Sequence, residues 1–75
     1  MYRIKKEVIE LFKEFRTNSY AKYLGIDASY VSSILNANRP CTTIIAISMI
    51  SVRFDLTLRY IVDNNLLEKY FTKEK

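Results

Sequence analysis

TNSYAKYLGIDASYVSSILNA, residues Thr17–Ala37, is the stretch that decides how this chain folds. Tyr20, Ala21 and Leu24 recur at the spacing of one helical face, and Val31, Ile34 and Leu35 at that of another. Gly25, the chain's only glycine, stands between the two faces. A left-handed backbone angle is costly for any residue with a Cβ, so a glycine used once marks the place that needs one. Asp27 follows as an N-cap, its carboxylate placed to accept backbone N–H groups of the next helix. The stretch predicts a helix, a turn at Gly25-Ile26-Asp27 and a second helix starting at Ala28, which is a helix-turn-helix. Ala21 precedes the glycine by one helical turn, where a small side chain lets the second helix cross closely. Val31 and Ile34 lie where that helix must reach back into the core.

Upstream, residues 2–16 read YRIKKEVIELFKEFR. Ile4, Val8, Leu11, Phe12 and Phe15 fall on one helical face, with Lys5, Lys6, Glu7, Glu10, Lys13 and Glu14 opposite. The mixed sign of the polar face favours a core-facing first helix over a membrane-surface one. Pairs such as Lys6–Glu10 and Glu10–Lys13 are within helical reach. Arg3, Lys5 and Lys6 make the N-terminus locally basic, open either to phosphate contact or to plain solvation. Thr17 or Asn18 is expected to cap the second helix.

Downstream, Arg39-Pro40 breaks the chain in the loop Asn36–Cys41, because proline restricts the residue before it and cannot sit inside a helix. Asn36 and Asn38 are the expected left-handed positions there. Thr42 or Thr43 caps a fourth helix, Ile44–Arg53, apolar nearly all round and hence central. Its β-branched residues would also suit a strand, but a lone strand would lack a partner, so helix is expected. A fifth helix starts near Thr57 and turns Leu58, Ile61 and Val62 inward until Asp63-Asn64-Asn65 interrupts it. The tail places Leu66, Leu67, Tyr70 and Phe71 on an apolar stripe. That stripe is either a dimer surface, together with Phe54 and Leu58, or a cover folded back over the first helix.

Seventy-five residues suffice for one small domain. Apolar content of 49% is too rich for a disordered segment, and one Gly and one Pro favour helices over a many-turned β fold. No stretch approaches the ~20 apolar residues of a membrane span, and Met1–Glu14 interleaves charge through what a signal peptide would keep apolar. A cytoplasmic protein is expected. Cys41 is the sole cysteine and histidine is absent. The usual zinc ligand sets and the Ser-His-Asp and Cys-His nucleophile systems are therefore excluded, and neither an enzyme nor a metal nor a cofactor is expected. A net charge of +4 permits a polyanion partner without requiring one.

The motif resembles the Cro/repressor (XRE-type) helix-turn-helix family, which carries Ala, Gly, then Ile or Val, then Leu or Ile at these intervals. Asn36-Ala37-Asn38-Arg39-Pro40 stands where that family has an Asn-Gly-Lys-Arg-like loop. Phe54-Asp55-Leu56-Thr57-Leu58-Arg59-Tyr60-Ile61 is similar to its entry into a fifth helix. The likeness spans roughly residues 5–63. It implies an all-α fold: a compact five-helix lambda-repressor-like domain over residues 1–75. Helices are expected at about 2–15, 18–24, 28–36, 43–53 and 57–63, with a short C-terminal helical tail at about 66–72.

The resemblance also implies a function, with double-stranded DNA as the partner. The third helix would enter the major groove and present Ala28, Ser29, Tyr30, Ser32, Ser33 and Asn36 to base edges. Phosphates would be gripped by Arg16, Thr17, Asn18 and Ser19 on one side and by Asn38, Arg39, Thr42 and Thr43 on the other. Most of the reading residues are short, so direct readout is expected to be weak and DNA shape to matter. Relatives usually begin the second helix with glutamine and carry two or more basic residues in the loop, where this chain has Thr17 and a single Arg39. The expected function is a transcriptional regulator, a repressor of phage or mobile-element type acting as a homodimer on an operator. The alternative is a protein-interaction module, regulator-binding or antitoxin-like, that keeps the helical core with weak DNA readout.

Overall fold

The two ends of the chain meet in a small antiparallel sheet. The computed structural model describes residues 1–74 and places Tyr2–Ile4 in strand β1, paired with strand β2 at Phe71–Lys73. Ile4 lies opposite Phe71, and both side chains are buried. Tyr2 also exchanges two backbone hydrogen bonds with Cys41, at 2.8 and 2.7 Å, on the other edge of β1. The first strand is thus held on both sides. The expected all-α fold holds in outline: the described residues are mostly helical, with a small two-stranded sheet added where the chain ends meet.

The expected first helix over 2–15 is corrected. After β1 the chain makes a 3-10 turn at Lys6–Val8 and one short helix, α1, at Ile9–Lys13. The apolar set still faces inward: Ile4 and Phe12 are buried, and Val8, Ile9 and Phe15 pack on the core. Burying those residues, rather than preserving helical periodicity, decides the backbone here. A strand reaching Cys41 and β2 satisfies the peptide groups equally well.

Helix α2 spans Thr17–Leu24 and α3 spans Ala28–Leu35. Gly25 ends α2 in the left-handed region (φ 68°), its N–H bonded to the Ala21 carbonyl. Asp27 caps α3, its carboxylate accepting from the Ser29 N–H at 2.8 Å. A Cβ at Gly25 would meet nothing within 4 Å, so only the backbone angle argues for glycine. Gly25→Ala is accordingly expected to cost about 1 kcal/mol and lower the melting temperature by roughly 4–8 °C, read by circular dichroism. An unchanged midpoint would remove the glycine from the account of the turn. The expected cap of α2 is corrected: Arg16 occupies the N-cap position, without a side-chain bond, and Thr17 is the first helical residue.

Helix α4 runs from Thr43 to Phe54 behind a Thr42 cap, and buries Ala46, Ile47, Met49 and Ile50. Helix α5 covers Leu58–Asp63 behind Thr57, and only Ile61 of it is buried. Leu58 and Val62 remain 52% and 56% exposed, against their expected inward placement. The short α6, Leu66–Tyr70, then turns into β2, which corrects the expected tail helix over 66–72. Leu66, Leu67, Tyr70 and Phe54 pack on the core, and Phe71 is buried within it. Phe12 of α1 is ringed edge-on by Phe54, Tyr70 and Phe71 at centroid distances of 5.6–5.8 Å. The apolar tail therefore covers its own first helix, and of the six residues offered as a dimer surface only Leu58 is exposed. Among the described residues no helix is long and apolar enough to cross a membrane.

Candidate nucleic-acid interface

Val31, Ile34 and Leu35 turn α3 inward and are buried. This leaves Ser29 and Asn36 exposed and Ala28, Tyr30, Ser32 and Ser33 half-buried on the outward side. The helix contains no charged residue. Its outer row is small and polar, with Tyr30 as the one large side chain.

Several of these groups are already engaged. The Ser29 hydroxyl donates to Asp27 at 2.7 Å, which commits its proton and leaves its oxygen as an acceptor. Those two bonds from Ser29 hold the Asp27 carboxyl below the usual carboxylate range. The Asn36 side-chain amide donates to the Ser32 carbonyl at 2.9 Å and accepts from Lys13 at 2.6 Å. Arg39 lies over the Tyr30 ring, 4.8 Å from its centroid. The loop arginine thus covers the one large side chain of the outer row. Ser33 makes no side-chain hydrogen bond among the described residues.

The phosphate-gripping candidates divide between two helix starts and one loop. Arg16 and Asn18 are exposed at the start of α2, with Thr17 and Ser19 half-buried beside them. The first bonded N–H groups of this helix belong to Ser19 and Tyr20, both reaching the Arg16 carbonyl, so those of Thr17 and Asn18 have no backbone acceptor among the described residues. Such orphan donors at a helix start suit an anion. Asn38, Arg39, Thr42 and Thr43 are exposed. The Thr42 hydroxyl is partly committed, since it caps α4 by accepting from the Ile45 N–H at 3.3 Å.

The loop departs from expectation in its backbone. Ala37, not Asn36 or Asn38, takes the left-handed angle (φ 59°), while Asn36 stays at −93°. Arg3 donates to the Ala37 carbonyl at 2.6 Å and grips Glu74 through Nε at 2.6 Å and Nη2 at 3.2 Å. The Arg3 bond holds the Glu74 carboxyl below its ordinary range. Lys13 is the residue that sequence reasoning passed over, since it read as part of a solvated face; Arg3, open to phosphate contact or solvation, instead holds the loop. Each is tied to this region by a contact more than twenty residues away in the chain. Neither Lys6 nor Glu10 forms an ion pair among the described residues, where Arg53–Glu14 at 3.2 Å and Arg59–Asp63 at 3.6 Å do.

No family model, curated protein or solved structure matches the chain.

Proposed function

We propose that this chain is a cytoplasmic, sequence-specific DNA-binding transcriptional regulator of the Cro/repressor helix-turn-helix type, repressing by occupying an operator as a dimer. The observation that carries the reading is the α2–Gly25–α3 unit. Its two helices are joined by a left-handed glycine and an aspartate cap, with a charge-free, small-polar row turned outward. A helix of that surface fits a major groove without repelling phosphate. Arg16 and Arg39 stand at the two ends of the unit, and the unpaired N–H groups at the start of α2 add anion-binding capacity. Base contacts fall to Ser29, Ser33 and Ala28, with Tyr30 and Asn36 released from their present partners to contribute more.

A mobility-shift titration on AT-rich duplexes tests this. A discrete complex is expected at nanomolar to sub-micromolar protein, with log affinity falling steeply against log salt, by about 0.9 per phosphate neutralised. Arg39→Ala is expected to weaken binding on all sequences and to flatten that slope by about one, whereas Ser33→Ala changes which sequence is preferred. Binding no tighter than to random DNA at physiological salt would remove base reading. With the tail tucked in, the dimer contact is assigned to the exposed apolar residues of α4 and α5, Ile44, Leu58 and Val62. Leu58→Asp is expected to shift sedimentation from dimer to monomer without unfolding the chain; a wild type that sediments as a monomer at high concentration would remove this contact.

One observation favours a second reading. Ser29, Asn36 and Arg39 are all engaged within the chain, which suits a protein-interaction module of regulator-binding or antitoxin type. Salt-independent DNA binding, or none, would favour it.

A further inference from the structure

The loop that carries Arg39 is pinned at two points by neighbouring residues of one strand. Tyr2 bonds Cys41 through the backbone, and Arg3 reaches the Ala37 carbonyl through its guanidinium. Arg39 sits midway between these anchors. Ala37 holds a left-handed angle that is costly for alanine. The turn bonds from the Ala37 N–H to the Ile34 carbonyl and from the Asn38 N–H to the Ser33 carbonyl end α3 there, and Arg3 adds a third tie at the Ala37 carbonyl. Arg3 can serve there because its fork is set by Glu74, which takes both Nε and Nη2. The Glu74 N–H in turn donates to the Met1 carbonyl at 2.8 Å, which continues the β1–β2 ladder beyond its last pair. A path of direct contacts therefore runs from the C-terminal strand through Arg3 to the loop, and from the loop to the Arg39–Tyr30 stack.

We propose that Arg3 is a positioning residue for the phosphate contact of Arg39, held in place by Glu74, so that the C-terminal strand sets the geometry of the DNA-facing loop. The inference rests on the DNA-binding reading above. It makes the tail part of the interface although the tail itself touches no nucleic acid.

The discriminating variant is Glu74→Gln. Removing a negative charge strengthens attraction to a polyanion by field alone, whereas losing the grip on Arg3 weakens it, so the two accounts predict opposite signs. The expected result is a loss of roughly 3- to 10-fold in affinity on every duplex, with a salt slope smaller by about one. Arg3→Lys, which keeps the charge but loses the fork, is expected to behave alike. In a double-mutant cycle, Glu74→Gln is expected to add nothing to Arg39→Ala. Binding is compared well below each variant's own melting midpoint, so that unfolding does not enter. Affinity unchanged or raised in Glu74→Gln, or losses that add, overturns the proposal. The same variant is read without DNA from the amide resonances of Ala37, Asn38 and Arg39, which are expected to shift. Unmoved resonances overturn the coupling whatever the DNA result. Shifted resonances in a protein that binds no DNA overturn the regulator reading and, with it, the role given to Arg39, leaving only a coupling between tail and loop.

Discussion

Phe71→Ala is expected to destabilise the protein by about 3–5 kcal/mol, the cost of emptying a fully buried aromatic site. A chain of this length has roughly 4–11 kcal/mol in total at typical stabilities per residue. The substitution therefore removes a large share of the fold, and at the lower end all of it. Phe71 stands edge-on to Phe12, opposite Ile4 in the sheet, and Phe12 is the hub on which Phe54 and Tyr70 also pack. Losing its ring opens a cavity against three elements at once. Deletion of residues 71–75 is expected to do at least as much damage, since it also leaves β1 without its partner. Urea titration followed by circular dichroism measures both. The control is Tyr60→Ala, half exposed on α5 and outside the proposed dimer contact, expected to change stability by less than about 1 kcal/mol. If Phe71→Ala behaves like Tyr60→Ala, the tail is an appendage and not part of the core.

That contrast also shows how far the sequence could be read. Gly25 and Asp27 announced the α2–α3 turn because each has a local job, one a backbone angle and the other a cap, that few residue types perform. Thr42 and Thr57 marked the starts of α4 and α5 for the same reason. The strands were not legible. Three residues give no periodicity, and Tyr2-Arg3-Ile4 continues the helical spacing of Val8, Phe12 and Phe15 without a break. What makes β1 a strand is Phe71–Lys73, some seventy residues away, and Cys41 on its other side. The outward row of α3 was identified by elimination, since Val31, Ile34 and Leu35 had to face the core. Its hydrogen-bonding state was not, because the partners Lys13 and Arg39 are brought in by tertiary packing. Ala37 misled for a further reason. Asn36 and Asn38 were the better left-handed formers by type, but α3 ends so that Ala37 falls at the position after the C-cap, where its own N–H and that of Asn38 turn back to the Ile34 and Ser33 carbonyls.

Alkaline pH is expected to unfold the protein, through two buried groups that must ionise when the chain opens. Cys41 is fully buried beside β1, and burial pushes its thiol from 9.0 up to about 11. Tyr20 is fully buried under α1, its hydroxyl donating to the Phe12 carbonyl at 2.6 Å, and burial raises it well above its ordinary 10.0. Arg53 opposes that rise only in part. Both groups hold their protons longer in the folded chain than in the unfolded one. Their contribution is complete below the unfolded values and lost as pH rises, the thiol's between pH 9 and about 11 and the phenol's above 10. Two pH units at about 1.4 kcal/mol each bound the thiol's share, which reaches roughly 2 kcal/mol by pH 11. Cys41→Ala is expected to keep the stability curve level to about pH 10 before the tyrosine bends it down. Tyr20→Phe is expected to remove that later fall. At neutral pH it loses only about 1 kcal/mol, because the Phe12 carbonyl still accepts from the Phe15 N–H at 3.2 Å. Urea midpoints taken from pH 7 to 11 on the three proteins measure this. Parallel curves would mean that neither group titrates differently in the folded chain, and the packing of β1 against Cys41 and of Tyr20 beneath Phe12 would have to be looser than described.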